Sequence, residues 1–418
     1  MMHEIDVTTD SNDWTADGLK VIKLKFISDQ SEINSDGPLY PIEYAYQQFG
    51  DGEAICGYRD LSIVLCFTEA TMFPHIILNH RGTCTNGDVP VDDVPALLNE
   101  HLVYDQRECL TNRNLFEAEL ESQASFQPPG TEVSTFMRHS DPDKGYALFR
   151  IEGELSEKAK CLVERCQSIL FFFIEGVKYT DSDDPKFIYY ILYETYHKPG
   201  TTGRQYRIMA YLSLYKYYSH PDKWRLRGAH TFVFPQFRSG GVCSKLLHAV
   251  NLDVKNIANI YDVTLETPAP ELVLARDYAT TLEVISMPEF AKAKIMEPVT
   301  KEKKELLRTT WKMYNKQAVR VIDILQYAVA RSQSKEAVDN FKTKLATRIR
   351  KPFERQDKDY RRMLQGLDPS DMATVTSNNA DGLDADVVEK LVGYAIEDYT
   401  KTLARLNQHS REFQNWLA

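Results

Sequence analysis

The chain lacks the features that mark secreted, membrane-spanning and zinc-bound proteins. Its start, Met1–Asp17, is polar and acidic without an apolar core, so we expect no signal peptide there. No uninterrupted apolar stretch approaches membrane-spanning length, and the densest run is Ser168–Ile174. The seven cysteines are scattered, form no CxxC pair and have no histidine at zinc-ligand spacing. A reducing compartment and no structural metal is the simplest interpretation.

Charge is distributed unevenly along the 418 residues, which carry a formal net charge of −10. Between Val299 and Arg362 there are 18 basic and 8 acidic residues, a local excess of +10, so the rest of the chain carries −20. This balance disfavours general nucleic-acid binding by the region before Val299 and suits a cationic partner there. A surface kept soluble by its charge explains the same numbers equally well.

Three sequence patterns predict an α+β protein. Strand-like runs broken by Asp, Gly, Asn and Pro clusters extend from Leu19 to Asp141, and strands and helices alternate from Tyr146 to Val284. After Pro298 the pattern is almost purely helical. We therefore predict a disordered N-terminus (1–18), an N-terminal α/β domain (19–141), a core domain (142–285) and a C-terminal helical region (286–418).

Periodicity also predicts individual elements. Apolar residues at helical spacing favour helices, and aromatic-rich runs bounded by turn residues favour strands. The predicted helices include Val94–Leu102, Ser156–Ile174, Val242–Ile257 and Leu306–Ser332, and the predicted strands include Phe187–Tyr196, Tyr206–Tyr218 and Ile260–Glu266.

A glycine turn between a strand and a helix is the first candidate site. The hydrophobic run Thr231–Phe237 ends, Gly240 and Gly241 permit a tight turn, and an amphipathic helix begins at once. Such a junction directs backbone N–H groups and the positive helix end at one point, where diphosphates are commonly bound. Strand–glycine–helix turns are also common in proteins that bind no anion, so both interpretations stay open on shape alone.

The run Arg238–Cys243 (RSGGVC) resembles the Gln/Arg-x-x-Gly-x-Gly/Ala loop of the GNAT superfamily of N-acetyltransferases. The surrounding sequence resembles the catalytic subunits of type B histone acetyltransferases in five co-linear blocks. These are Pro41–Tyr58, Phe173–Tyr196, Tyr211–Arg227, Tyr261–Tyr278 and Asn315–Tyr327. The resemblance implies a GNAT-type mixed-sheet core, with the α/β domain before it recognising substrate and the helical region after it.

Acetyl-CoA is the cosubstrate that the resemblance implies, with no metal. The positions matching the family's cofactor-binding strand and loop are Thr231, Phe232, Val233, Arg238, Ser239, Gly240, Gly241, Val242, Cys243 and Ser244. Cys243 stands where the family has its last glycine or alanine. Since a side chain there lies close to the phosphates, we expect weakened rather than abolished cofactor binding.

Lysine acetylation requires a base, because a lysine ammonium with a pKa near ~10.4 is almost wholly protonated at pH 7. Glu266 ends a predicted apolar strand, where pattern alone favours a solvated glutamate. The resemblance implies that Glu266 is the catalytic base, with Thr267 in place of the aspartate that follows it in the family. A covalent route through Cys161 or Cys243 is the alternative to direct attack by lysine in a ternary complex, which we prefer.

Substrate contacts are likewise implied by the resemblance. Asp51 and Glu53 match an acidic element, and Tyr215, Lys216 and Tyr217 match an aromatic one, while Phe187 replaces a substrate-contacting tryptophan. Carboxylates pair with Lys or Arg, and tyrosine faces hold cationic stems. A turn at Asp51–Glu53 and ordinary packing of tyrosines in a strand pair explain the same residues without a ligand.

The predicted function is therefore acetyl transfer from acetyl-CoA to lysine side chains in the N-terminal tail of newly made, soluble histone four. The resemblance also implies the histone partner of histone four, a WD-repeat histone chaperone, and residence in nucleus and cytoplasm. Neither a membrane nor sequence-specific nucleic acid is expected as a partner. A non-catalytic histone-binding scaffold of the same fold and an acetyltransferase acting on another amine are the alternatives.

Overall fold

The structure, a computed structural model, describes residues 14–84, 90–102, 110–138, 141–198, 203–365 and 385–418. The chain divides into unit 1, Met1–Asp253, and unit 2, Val254–Ala418. The four segments expected from the sequence stay a prediction about domain boundaries. An α+β fold with mixed sheets and a helical C-terminal region, which fits a GNAT-type core, is confirmed.

Unit 1 begins with a small mixed sheet in the order β3-β2-β6-β7, in which β2 and β6 are parallel. Strand β1 pairs with β4, so the disorder expected for 1–18 does not extend over Thr15–Asp17. The strands are β1 (Thr15–Asp17), β2 (Ile22–Ile27), β3 (Tyr40–Pro41), β4 (Ala54–Cys56), β5 (Tyr58–Arg59), β6 (Ser62–Thr68), β7 (Pro74–Asn79) and β8 (Gly82–Thr83). The helices are α1 (Gly18–Val21), α2 (Tyr46–Phe49), α3 (Val94–Leu102) and α4 (Arg113–Ser122).

A larger antiparallel sheet follows in unit 1, with neighbouring strands in chain order. Its strands are β9 (Thr131–Arg138), β10 (Asp141–Glu152), β11 (Phe187–Tyr196), β12 (Gln205–Ser219) and β13 (Lys223–Val233). Helix α5 (Glu157–Ser168) connects β10 to β11 through a 3-10 turn, Ile169–Phe172. Ser156 caps α5 by accepting a hydrogen bond from the Ala159 N–H, as serine does at this position in many helices.

One hydrophobic core joins both sheets of unit 1. Apolar residues alternate along each strand and bury one face, because successive side chains point to opposite faces of a sheet. The shared core includes Leu24 and Leu65 from the small sheet, Leu162 and Cys166 from α5, and Tyr189, Tyr211, Phe232 and Phe234 from the larger sheet and its edge. The end of β13 is therefore anchored in the interior, directly before the predicted cofactor loop.

Helix α6 (Val242–Val254) follows that loop, and unit 2 continues with one strand and seven helices among its described residues. These are β14 (Ile260–Leu265), α7 (Pro270–Ile285), α8 (Lys292–Ile295), α9 (Lys301–Trp311), α10 (Asn315–Gln333), α11 (Lys335–Gln365), α12 (Ala385–His409) and α13 (Arg411–Leu417). The single helix predicted for Leu306–Ser332 is wrong, because Lys312 adopts a left-handed conformation (φ 55°) that ends α9. Across the described parts of the chain, no helix combines the length and the apolar character needed to cross a membrane.

Candidate active site

The glycine turn connects β13 to α6 with two residues in the left-handed conformation. Val233 ends β13, a 3-10 turn spans Pro235–Phe237, and Ser239 (φ 65°) and Gly241 (φ 71°) precede the first residue of α6. A Cβ added to Gly240 would meet no atom closer than 3.8 Å, so the turn leaves open space. The first N–H groups of a helix have no acceptor within it and lie at its positive end. The turn therefore fits a diphosphate such as that of acetyl-CoA.

Exposure within the turn matches this interpretation. Arg238, Ser239, Gly240 and Gly241 are exposed, Val242 is buried and anchors the helix, and Cys243 and Ser244 are half-buried in its first turn. The half-buried thiol of Cys243 lies one residue into α6, where the phosphates would approach. The expected weakening of cofactor binding by Cys243 stays a prediction.

Arg238 is held on three sides by residues of unit 1. Its Nε donates to the Val233 carbonyl at 3.2 Å, and its Nη1 donates to Glu43 Oε1 at 2.9 Å. The guanidinium carbon lies 4.6 Å from the centre of the Phe173 ring and 5.4 Å from that of Phe232, within range of cation–π attraction. Sequence reasoning missed Glu43, because the pair joins positions 195 residues apart.

The predicted cofactor strand Thr231–Val233 pairs along its length with β12. Phe232 is buried opposite Tyr211, while Thr231 and Val233 are half-buried opposite Leu212 and Ala210. The backbone of this segment is therefore held by β12 directly before the turn.

His230, the residue before this strand segment, is a second feature that sequence reasoning missed. Its backbone N–H donates to Ser213 Oγ at 3.1 Å, and its Nδ1 is buried without a hydrogen-bond partner among the described residues. Burial lowers the pKa of the His230 imidazole to about 4, because burial disfavours the charged form. The ring is therefore neutral at pH 7.

An aromatic row brings together three of the predicted substrate residues. Phe187 on β11 lies directly opposite Tyr215 on β12, with ring centres 4.8 Å apart in a T-shaped contact. The Tyr215 and Tyr217 rings are also 4.8 Å apart, and the Arg227 guanidinium carbon lies 4.9 Å from the centre of the Tyr217 ring. The Tyr217 side chain is 42% exposed, so this end of the row lies at the surface.

Lys216, in contrast, lies on the other face of the strand. Its Nζ donates to Glu152 Oε2 on β10 at 3.1 Å, and adjacent residues of a strand point to opposite faces. The structure therefore separates the Lys216 side chain from Tyr215 and Tyr217, and its assignment to the substrate site stays a prediction.

The predicted acidic element forms a turn in unit 1. The Glu53 N–H donates to the Gly50 carbonyl at 2.8 Å, and Glu53 is left-handed (φ 49°). Its Oε1 accepts from the Ala45 N–H at 2.7 Å, so this carboxylate holds the backbone before α2. Asp51 is exposed at the tip of the turn. Asp51 is thus the carboxylate better placed to meet a soluble cationic substrate.

In the part of the chain that the structure describes, no group of three or more His, Cys, Asp and Glu side chains is arranged to hold a metal ion.

Glu266 lies in unit 2 and is exposed in the turn between β14 and α7. The next residue, Thr267, is left-handed (φ 37°), and Pro270 begins α7. On the strand side, Val263 N–H donates to the Lys312 carbonyl at 2.8 Å, and the Arg308 guanidinium carbon lies 4.2 Å from the centre of the Tyr261 ring. These contacts hold the strand whose end carries Glu266, and its role as a base stays a prediction.

Comparison with known proteins supports the resemblance along almost the whole chain. Residues 14–175 match the family described as "Histone acetyl transferase HAT1 N-terminus". The protein named histone acetyltransferase type B catalytic subunit from Homo sapiens is 25% identical over 391 residues, covering 93% of this chain and 92% of its own. Its Mus musculus counterpart is 25% identical with 93% of each chain covered, and that of Mycosarcoma maydis is 24% identical over 92% of this chain and 89% of its own. Over nearly its whole length the chain is therefore similar to type B histone acetyltransferase catalytic subunits.

Proposed function

We propose that this protein is an acetyl-CoA-dependent histone acetyltransferase that acetylates lysine side chains in the N-terminal tail of newly made, soluble histone four. The observation that carries the proposal is the similarity over nearly the full length to proteins named as histone acetyltransferases. The open left-handed turn before α6 supports it independently, because its shape suits a diphosphate.

The chain's own residues divide the work of binding. The turn from Arg238 to Ser244 holds the pyrophosphate, and the backbone of Thr231–Val233 orients the pantetheine arm. Bound acetyl-CoA supplies an acetyl group activated as a thioester. Glu266 takes the proton from the substrate ammonium, which leaves a neutral amine in the ternary complex. The amine nitrogen bonds to the acetyl carbon, the carbon–sulfur bond of the thioester breaks, and CoA leaves as its thiol while the new amide loses its extra proton.

Recognition of a basic tail uses one carboxylate and the aromatic row. Asp51 is exposed and pairs with a Lys or Arg of the tail, while Phe187, Tyr215 and Tyr217 receive a cationic stem on their faces. Histone four in company with its histone partner, a WD-repeat histone chaperone as the protein's partner, and residence in nucleus and cytoplasm complete the proposal. They rest on the family resemblance alone.

The test is to incubate the protein with labelled acetyl-CoA and free histones and to locate the label by mass spectrometry. Label is expected on lysines of the histone four tail. No label on any histone, together with no acetyl-CoA binding in calorimetry, would establish the histone-binding scaffold instead. Label on other amines alone would show instead that the protein is an acetyltransferase acting on another amine.

The proposed base is tested by Glu266→Gln, which keeps the size of the side chain and removes its basicity. Losing a positioned general base lowers kcat by about 10²–10⁴-fold. The matched control is Glu289→Gln, another exposed glutamate of unit 2, whose kcat is expected to equal that of the wild type. An unchanged rate for folded Glu266→Gln protein would eliminate this assignment.

A further inference from the structure

We propose that Glu43 is a positioning residue that fixes the Arg238 guanidinium for binding of the acetyl-CoA pyrophosphate. This inference rests on the proposed function, since it assumes that the turn before α6 binds the cofactor. Glu43 lies in the N-terminal part of unit 1, in the segment that leads to α2, and it is not among the cofactor-binding residues that the sequence resemblance implies.

The contacts of Arg238 fix the orientation of its guanidinium in addition to balancing its charge. Two donors on different sides of the guanidinium are engaged, Nε by the Val233 carbonyl and Nη1 by Glu43, which sets the plane of the group. The Phe173 and Phe232 rings lie 4.6 and 5.4 Å from the guanidinium carbon. Nη2 makes no hydrogen bond with the described residues, so its two donors stay available for a phosphate oxygen.

The backbone of Glu43 is itself fixed against the element that supports Arg238. The N–H groups of Glu43 and Tyr44 donate to the Phe172 carbonyl at 2.9 and 3.1 Å. Phe172 ends the 3-10 turn after α5, and the next residue, Phe173, supplies the ring beside Arg238. Contacts among Glu43, Phe173 and Arg238 therefore connect the segment before α2, the segment after α5 and the cofactor turn.

The solvent exposure of the pair indicates a role in orientation rather than in stability. The Arg238 and Glu43 side chains are 40% and 52% exposed, and ion pairs this exposed contribute little to folding. A long arginine side chain loses rotamer freedom when it binds a ligand, and holding it in place beforehand removes that loss from the binding step. The effect of losing Glu43 on cofactor affinity distinguishes two roles, orientation of Arg238 and a change in the charge near the phosphates. Loss of orientation weakens cofactor binding, whereas removal of a nearby negative charge would strengthen it.

The experiment measures CoA affinity by calorimetry for the full-length wild type, Glu43→Gln, Arg238→Gln and the double variant. Glu43→Gln is expected to weaken binding about 3- to 10-fold, the range that corresponds to one immobilised side chain. In the Arg238→Gln background, Glu43→Gln is expected to have no further effect, because no guanidinium remains to be oriented. The same loss in both backgrounds would show a merely structural role, and tighter binding by Glu43→Gln would show that its charge opposes the phosphates; either outcome overturns the inference.

Glu132→Gln is the matched control. Glu132 on β9 accepts from Arg204 Nη2 at 2.6 Å, and both side chains are about one third exposed, so this variant also breaks an arginine–glutamate pair of unit 1. Its CoA affinity should equal that of the wild type, and an equal loss would contradict the inference. If the wild type binds CoA and Glu43→Gln binds it with the same affinity, the inference is refuted and the proposed function stands. A wild type that binds no CoA would refute both.

Discussion

Replacing His230 by glutamine should remove a pH dependence of stability from unit 1. The pKa of His230 is lowered to about 4 by burial, whereas a histidine in an unfolded chain has a pKa near 6.5. Between these values the unfolded chain binds a proton that the folded chain does not. The free energy of unfolding therefore falls as the pH drops through 6.5, and the loss is complete below pH 4.

The size of the effect follows from the two pKa values. A difference of about 2.5 pKa units corresponds to about 3.4 kcal/mol in full, of which about 2 kcal/mol is lost at pH 5 and only about 0.2 kcal/mol at pH 7. Carboxylates also titrate in this range. Their contribution is shared by the wild type and His230→Gln, so the difference between the two proteins isolates His230.

Native-state hydrogen exchange, read by mass spectrometry on peptides from β12 and β13, measures this stability in the full-length protein. From pH 7 to pH 5 the wild type should lose about 2 kcal/mol more than His230→Gln. The control is His197→Gln, an exposed histidine, which should follow the wild type. Equal losses in the wild type and His230→Gln would refute the argument that burial keeps this imidazole neutral.

Two further substitutions test unit 2 and the cofactor turn. Arg320→Met should destabilise unit 2 by about 3–5 kcal/mol, because Arg320 Nε lies 2.7 Å from the fully buried Asp277 and its loss leaves that carboxylate without this ion-pair partner. Hydrogen exchange of peptides from α7 and α10 measures this loss of stability, and Arg331→Met, at an exposed arginine, is the control. A destabilisation of Arg320→Met under ~1 kcal/mol would contradict the prediction. Gly241→Ala should cost about 1–2 kcal/mol and weaken CoA binding in calorimetry, because its φ of 71° suits only glycine without strain. Gly393→Ala in α12 is the control and should stabilise the protein by about 0.5–1 kcal/mol. If Gly241→Ala has the stability and the CoA affinity of the wild type, the argument from its φ angle is refuted.

The regular elements were predictable wherever local patterning agreed with the final packing. Helix α3 (Val94–Leu102) and strand β11 (Phe187–Tyr196) have the predicted bounds, and α6 begins at the predicted Val242. Each shows a clear period of apolar residues that is set by neighbours a few positions away. The break at Lys312 was missed, because a lysine in the left-handed conformation has neither of the usual signals, glycine or proline.

Strand alternation already determines part of the candidate site. In the run Tyr215–Tyr217, the two tyrosines must share one face and Lys216 must take the other, as its bond to Glu152 shows. The left-handed position at Gly241 was likewise signalled by the residue type itself. By itself the sequence determined these local features: which residues turn, which alternate, and which family the blocks resemble.

Only the tertiary structure decided which distant groups meet. The contact of Glu43 with Arg238 depends on the packing of the small sheet, α5 and β13 around one core, and no local period records it. The same packing half-buries His230 beside Ser213 and encloses its Nδ1 atom, and its lowered pKa arises from that burial rather than from any neighbour in the chain. Backbone preferences act over a few residues, whereas burial and ion pairing depend on the whole fold. Burial and ion pairing were therefore evident only from the tertiary structure.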